Sequence, residues 1–171
     1  MTLPPDNGGI SLDLYIKQKI FSLKDKYSVC NELGEPVYTV EGELFTWGAK
    51  IHLYDLMGRE LYYIKQKVLT FLPEYEIFVG EQFCARIKKE FSFFTPRLNV
   101  QSSYGDFEIE GGFMEMDFSI YHNGQVFGEI HKKWLSWGDT YCLTVANPEN
   151  AAFFTSMVIA IDNCMHNESN Q

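Results

Sequence analysis

Short runs of alternating apolar and polar residues recur along the chain, which is the pattern of β-strands with one face in a core. Ile51 and Leu53, for example, alternate with Lys50 and His52. One apolar face and one polar face per strand favour an antiparallel sheet with a single buried side. The same alternation occurs at residues 14–20, 97–101, 106–110, 114–120 and 140–145.

Turn residues separate these runs and predict hairpin connections. Asn123-Gly124 is the strongest signal, because a type I′ hairpin turn needs positive φ at both of its central residues. About twelve strands with hairpin spacing predict a meander, and a sheet of that size must curl or close. The other turn signals are Asn31–Gly34, Met57-Gly58, Val79-Gly80 and Gly111-Gly112.

The last segment changes from strand to helix character. Asn147 suits an N-cap, Pro148 suits the first helical position, and Glu149 favours the positive end of the helix. Residues 151–161 are apolar around nearly the whole helical circumference, which is typical of a helix buried inside protein or in a membrane. A helix over about residues 148–165 would reach about 27 Å, enough to thread a small barrel. The pattern therefore predicts a closed antiparallel barrel, mainly β, around a buried C-terminal helix.

The length of 171 residues predicts one domain. Residues 1–13 contain Pro4, Pro5, Gly8 and Gly9 but no basic start followed by an apolar core, so we interpret them as a flexible extension without a secretory signal. Residues 14–171 form the single predicted barrel domain. The apolar stretches near the end are shorter than the roughly 20 residues that span a bilayer, so no transmembrane segment is predicted.

Several motifs in a fixed order resemble the LURP-one-related family of the tubby-like superfamily, which also includes phospholipid scramblases. The resemblance covers about residues 14–166. It rests on Tyr15–Lys19, Gly34–Tyr38, Phe107–Gly111, Gly124–Gly128, Ile130–Lys133, Asp139–Tyr141 and the apolar helix that ends in Ile161-Asp162.

This resemblance implies a twelve-stranded antiparallel barrel around one buried helix, in agreement with the pattern of the residues. It implies little about activity. Tubby domains bind phosphoinositides, and scramblases move lipids with calcium and a membrane anchor. No motif of this chain matches the functional residues of either group, and the missing anchor argues against scrambling.

The charge balance excludes one class of partner and suggests another. Fourteen Lys and Arg against 23 Asp and Glu give a net charge of −9, which argues against nucleic-acid binding through phosphate contacts. Eight of the fourteen cationic residues nevertheless occur in four lysine pairs. If their strands end on one rim, they would form a patch for a phosphorylated lipid headgroup. The alternative is a set of solvated strand faces. The pairs are Lys17 with Lys19, Lys65 with Lys67, Lys88 with Lys89, and Lys132 with Lys133, and the last two are the candidate headgroup site.

No catalytic, cofactor or metal-binding signature stands out from the sequence. The four histidines are scattered, and the chain has no glycine-rich phosphate loop. Cys30, Cys84, Cys142 and Cys164 are widely separated, so they do not form the close pair that metal sites need. We interpret them as ordinary thiols in the reducing cytoplasm.

Asp162 is placed unusually, because an acid at the end of an apolar helix opposes the negative end of the helix dipole. A buried carboxylate needs a partner, and we therefore predict that Asp162 is a structural latch to the barrel rim.

The aromatic residues, 16% of the chain, are interpreted as barrel core and interface. Trp47, Trp134 and Trp137 belong to this group, and Phe93-Phe94 is a candidate exposed loop.

The sequence leaves three functions open. The first is a non-enzymatic, cytoplasmic binding module for a phosphorylated lipid headgroup or a protein partner. The second is a small-ligand carrier or enzyme with a pocket at the barrel mouth, although a plugged barrel leaves little interior volume. The third is a scaffold of several copies joined through aromatic loops.

Overall fold

A computed structural model describes residues 11–17, 26–90, 97–112, 115–135 and 138–166. Residues 1–10 of the predicted extension lie outside this range, and the first strand begins at Leu12. The strands are β1 Leu12–Lys17, β2 Tyr27–Cys30, β3 Pro36–Gly42, β4 Lys50–Tyr54, β5 Glu60–Gln66, β6 Glu74–Val79, β7 Gln82–Glu90, β8 Arg97–Ser102, β9 Gly105–Gly112, β10 Asp117–His122, β11 Gln125–Leu135 and β12 Gly138–Val145, followed by the helix α1 Ala151–His166.

The twelve strands form one closed antiparallel barrel, as the sequence predicts. Each strand pairs with its neighbours in chain order, and β1 closes the barrel by pairing with β12. Leu12 lies opposite Val145 in that closing pair, and Leu14 lies opposite Leu143. Closure leaves no sheet edge open to pair with another chain.

The alternation of the sequence corresponds to the two faces of the barrel wall. Ile51 and Leu53 are buried, whereas Lys50 and His52 are partly exposed on the outer face. The same rule applies in β8 and β10, where Val100, Phe118 and Ile120 belong to the core. Residues 18–20 of the first predicted run lie outside the described residues.

Two turn predictions have opposite outcomes. Asn123 and Gly124 have φ of 52° and 74°, which confirms the two-residue turn with positive φ at both positions. The prediction of a turn at Gly111-Gly112 is wrong, because both glycines belong to β9 and pair with β10. A Cβ on Gly111 would collide with the carbonyl oxygen of Asp117. This glycine therefore permits close approach of two strands.

The helix starts as its capping residues predict. The Asn147 side chain accepts a hydrogen bond from the backbone N–H of Glu149 at 3.0 Å. Pro148 opens a short 3₁₀ turn, Pro148–Asn150, and α1 follows directly.

The barrel is filled by α1, which is buried on all sides. Residues 153–161 are each at most 3% exposed, and the helix packs against β5, β6, β7 and β12. Phe154 packs edge-on against Phe107 of β9 at a centroid distance of 5.7 Å, and Phe153 packs similarly against Tyr104 at 4.8 Å. The core therefore lies between the helix and the inner face of the barrel wall.

Candidate functional site

Each of the four predicted lysine pairs has at least one member in a strand, and these strands all finish at the same end of the barrel. Neighbouring strands are antiparallel, so every odd-numbered strand finishes at this end, which we call the lysine-bearing end. The C-terminal part of α1 lies here too, because α1 follows β12 and Cys164 contacts the carbonyl oxygen of Pro73, just before β6. The strands concerned are β1, β5, β7 and β11, and the lysines lie in or just after their C-terminal halves. Lys19 and the side chain of Lys17 lie outside the described residues.

The four residues of the candidate headgroup site are on one rim but not in one compact patch. Lys88 and Lys89 are on β7, and Lys132 and Lys133 are on β11, with three strands between them. Four strand spacings correspond to about 19 Å along the wall. Lys88 and Lys133 are exposed, whereas Lys89 and Lys132 are half-buried.

A denser group of cations lies on the outer face of β4 to β7, on one side of the same end. It includes Lys65, Lys67, Arg86 and Lys88. Lys67 Nζ lies 3.1 Å from Glu74 Oε1, and Arg86 Nη2 lies 2.8 Å from Glu76 Oε1. Glutamates therefore neutralise part of this group.

Two members of this group have no such partner. Lys65 on β5 and Lys88 on β7 are exposed and form no ion pair within the part of the chain that the structure describes. One strand separates β5 from β7, so the two lysines are about 10 Å apart around the wall.

Two apolar loops project from the same side of the lysine-bearing end. Residues 44–47 lie within the connection from β3 to β4, and residues 68–71 lie within the connection from β5 to β6. We call them the apolar tips. Four of their large side chains lie almost wholly in water, with exposed fractions of 95% for Phe45, 84% for Trp47, 95% for Leu69 and 94% for Phe71.

The two connections that carry the apolar tips are joined at their bases. The backbone N–H of Ala49 donates to Gln66 Oε1 at 2.9 Å, and the N–H of Gln66 donates to the carbonyl oxygen of Ala49 at 2.7 Å. Gly48 has φ of 77°, and a Cβ there would lie 2.7 Å from Val68 Cγ1. Glycine is therefore needed where the first loop passes the second.

Beside the tips, His52 lies between two carboxylates on the outer face of β4. Its Nδ1 lies 2.6 Å from Glu60 Oε2, and its Nε2 lies 3.0 Å from Glu43 Oε1. The hydrogen bond from His52, assisted by Lys50, lowers the pKa of Glu43. The ring also stacks on Tyr63 at 4.8 Å. The His52 ring and both carboxylates therefore have hydrogen-bond partners. The contacts hold the outer surface in place next to residues 44–47.

At the end of α1, Asp162 accepts a hydrogen bond from the Tyr141 hydroxyl at 2.9 Å. Tyr141 is on β12 and is buried, so the contact joins the helix to the barrel wall. Burial, reinforced by the negative charge of Asp162, raises the pKa of Tyr27 on β2. This geometry agrees with a latch, and the role of Asp162 in stability stays a prediction.

A surface hollow of about 290 Å³ lies on the outer face of β3 and β4, beside the β4–β5 turn. Lys26, Glu41, Tyr54 and Asp55 are among its lining residues, and Lys26 forms an ion pair with Glu41 across it.

In the described residues, no helix has the length and apolar character that crossing a membrane requires.

Comparison with known proteins identifies the family. Residues 12–162 match the family model described as LURP-one-related. The chain belongs to the LURP-one-related family. It is 31% identical over 160 residues to "Uncharacterized protein YxjI" of Bacillus subtilis (strain 168), covering 94% of this chain and 98% of that protein. It also resembles a protein from Arabidopsis thaliana with an X-ray structure, with a TM-score of 0.67 and 17% identity over 91% of this chain and 92% of that one. The second similarity supports the fold.

The thiols of this LURP-one-related protein are all free. Burial raises the pKa of Cys84 and of Cys142, which favours the neutral thiol over the nucleophilic thiolate. Burial also raises the pKa of Cys30.

The sequence pattern does not predict the apolar tips. It groups Trp47 with the other aromatic residues of core and interface, and the 84% exposure of this side chain shows that a core position is wrong. Phe93, Phe94 and Trp137 lie outside the described residues, as does the side chain of Trp134. The available signal was that Leu44–Gly48 and Val68–Phe71 contain apolar residues outside the alternating runs.

Proposed function

We propose that this LURP-one-related protein is a binding module whose lysine-bearing end contacts the phosphorylated headgroups of anionic lipids. The observation that supports this proposal is the shared end of the four lysine-bearing strands. Neighbouring strands alternate in direction, so the odd-numbered strands β1, β5, β7 and β11 all run the same way and finish at one end. A cationic rim attracts a negatively charged surface even when the whole protein is acidic, because charges beyond about 8 Å are largely screened at physiological ionic strength.

Exposed and unpaired lysines are the residues suited to such contacts. Lys65 and Lys88 lie about 10 Å apart around the wall. Neither forms an ion pair with a glutamate within the described residues. Each ammonium near an anionic surface contributes about 1 kcal/mol of attraction. Lys133 is also exposed and extends the cationic rim to β11. Several weak contacts spread along a rim fit a lipid surface better than one small soluble anion.

The proposal includes a location in the cytoplasm, whose membrane leaflets carry anionic lipids. The four free cysteines support it, because reduced thiols are typical of that compartment.

The proposal is tested by co-sedimentation with vesicles of phosphatidylcholine alone, with added phosphatidylserine, and with added phosphoinositide, each at two salt concentrations. We expect binding to the anionic vesicles that weakens at the higher salt concentration. Replacing Lys88, Lys89, Lys132 and Lys133 by Gln should weaken it about tenfold or more.

The matched control compares two single variants, Arg59→Gln and Lys88→Gln. Arg59 is exposed in the β4–β5 turn at the opposite end of the barrel, so its loss removes the same charge without touching the proposed surface. Equal weakening by the two single substitutions, or unchanged binding of the fourfold variant, would contradict the headgroup role of the lysine-bearing end.

A further inference from the structure

The apolar tips expose four large side chains, Phe45, Trp47, Leu69 and Phe71, at between 84% and 95% of their surfaces. Single exposed apolar residues are normal, but a contiguous group marks a contact surface. These four belong to two neighbouring loops that flank the β4–β5 pair, so they face water at the same side of the lysine-bearing end. The lysine contacts proposed above do not use them.

The loop backbones hold these side chains outward. Phe45 and Leu69 have φ of 57° and 64°, a left-handed conformation that is rare for bulky residues. Such a conformation persists only where surrounding contacts impose it. The two connections contact each other near their bases, through the paired hydrogen bonds between Ala49 and Gln66 and the close approach of Gly48 to Val68.

The chemistry of the surroundings identifies the partner. Lys65 and Lys88 are exposed on the strands beside the tips. Lys50 and Lys67 flank them, each in an ion pair with a glutamate. Aromatic and aliphatic side chains bordered by lysines match the two layers of an anionic bilayer surface, with apolar chains below and negative headgroups above. Two narrow projecting loops enter such a surface without needing a complementary groove.

We propose that the apolar tips insert into the boundary between headgroups and acyl chains of an anionic membrane, with Trp47 at the headgroup level. This inference deepens the proposed function and rests on it for the orientation of the barrel. The two depend on different side chains, since the lysines supply charge and the tips supply apolar area. Insertion to about 5–10 Å is typical of such interfacial contacts and places the lysine-bearing end against the headgroups.

The experiment measures binding to phosphatidylcholine vesicles that contain phosphatidylserine, at low and at high salt. The tip variant carries Phe45→Ser, Trp47→Ser, Leu69→Ser and Phe71→Ser. We expect it to bind at least tenfold more weakly than the unmodified chain at low salt and at high salt. Thermal unfolding checks that the variant is folded. We expect it to be, because all four side chains are exposed.

A control variant removes apolar surface from the opposite end by Leu33→Ser, Leu56→Ser and Met57→Ser. These side chains are 74%, 63% and 92% exposed in the β2–β3 and β4–β5 turns. The control should bind as the unmodified chain does. Equal losses for the two variants would overturn the inference, because they would show a general effect of surface hydrophobicity.

Quenching by brominated phosphatidylcholine tests the depth of Trp47 directly. Quenching of tryptophan fluorescence should fall in Trp47→Phe, although the variant still binds the vesicles. Quenching that stays the same in this variant would overturn the insertion of Trp47.

The results separate the two proposals. A tip variant that loses binding while the fourfold lysine variant keeps it supports insertion and contradicts the headgroup role. The reverse result supports the headgroup role and overturns insertion. An unmodified chain that binds no vesicles overturns both. If its mass in lipid-free sedimentation rises with concentration and the tip variant abolishes that rise, the tips join copies of the chain, and insertion is overturned.

Discussion

At the residue scale, Gly111 allows β9 and β10 to pair. Its φ of 134° is one that L side chains rarely adopt, and a Cβ would lie 2.6 Å from the Cα of Phe118 as well as against the Asp117 carbonyl. The sequence showed two adjacent glycines and suggested a turn, because the crowding comes from a strand that is not visible in the local pattern. Asn123-Gly124 was predictable, since its conformation depends only on its own two residues.

We expect Gly111→Ala to destabilise the fold by about 2–4 kcal/mol, because it combines backbone strain with a clash against backbone atoms. Gly34→Ala is the matched control. Gly34 also has positive φ, at 77°, but a Cβ added there would meet no atom within 4 Å, so the cost should be near 1 kcal/mol, about the backbone penalty alone. Urea denaturation measures both. Equal losses of stability would show that the strand contact at Gly111 relaxes freely.

At the element scale, α1 was the most predictable part of the molecule. The Asn147 cap, Pro148 and an apolar surface on every side are local features, and each is present in the structure. The positions of its partners were not predictable. Phe154 contacts Phe107 and Phe127, which come from β9 and β11, and such pairs depend on the register of the whole wall.

Truncating the helix core should therefore cost far more than truncating a tip. Phe154→Ala removes a ring that is wholly buried and should lower the free energy of unfolding by about 3–5 kcal/mol. Phe71→Ala removes the same atoms from a side chain that is 94% exposed, and it should change stability by less than about 0.5 kcal/mol. Chemical denaturation of the two variants provides the comparison. A small effect at Phe154 would mean that the helix does not supply the core.

At the scale of the whole molecule, closure joins distant parts of the chain. Thr144 Oγ1 donates to Asp13 Oδ1 at 2.7 Å across 131 residues of sequence. The alternating pattern predicted a closed barrel, and the structure confirms it. The pattern did not reveal the apolar tips or the placement of Lys65 and Lys88 only two strands apart, because these depend on loop conformation and on which strands become neighbours.

Removing β1 should open the barrel. A chain without residues 1–17 leaves β2 and β12 each with an unpaired edge, and unpaired edges associate with other chains. We expect its mass, measured by light scattering after gel filtration, to increase with concentration. A chain without residues 1–10 retains β1 and should keep a constant mass. A constant mass and an unaltered melting temperature for the chain without residues 1–17 would contradict the role of β1 in closure.

The position of α1 after all twelve strands has a consequence for biosynthesis. A ribosome adds about 5–20 residues each second, so it makes the wall over several seconds before it makes the segment that fills it. During that interval the emerging strands have apolar inner faces and no helix to cover them. Closure must therefore wait for β12 and filling for α1, and we expect chaperones to bind the nascent wall until then.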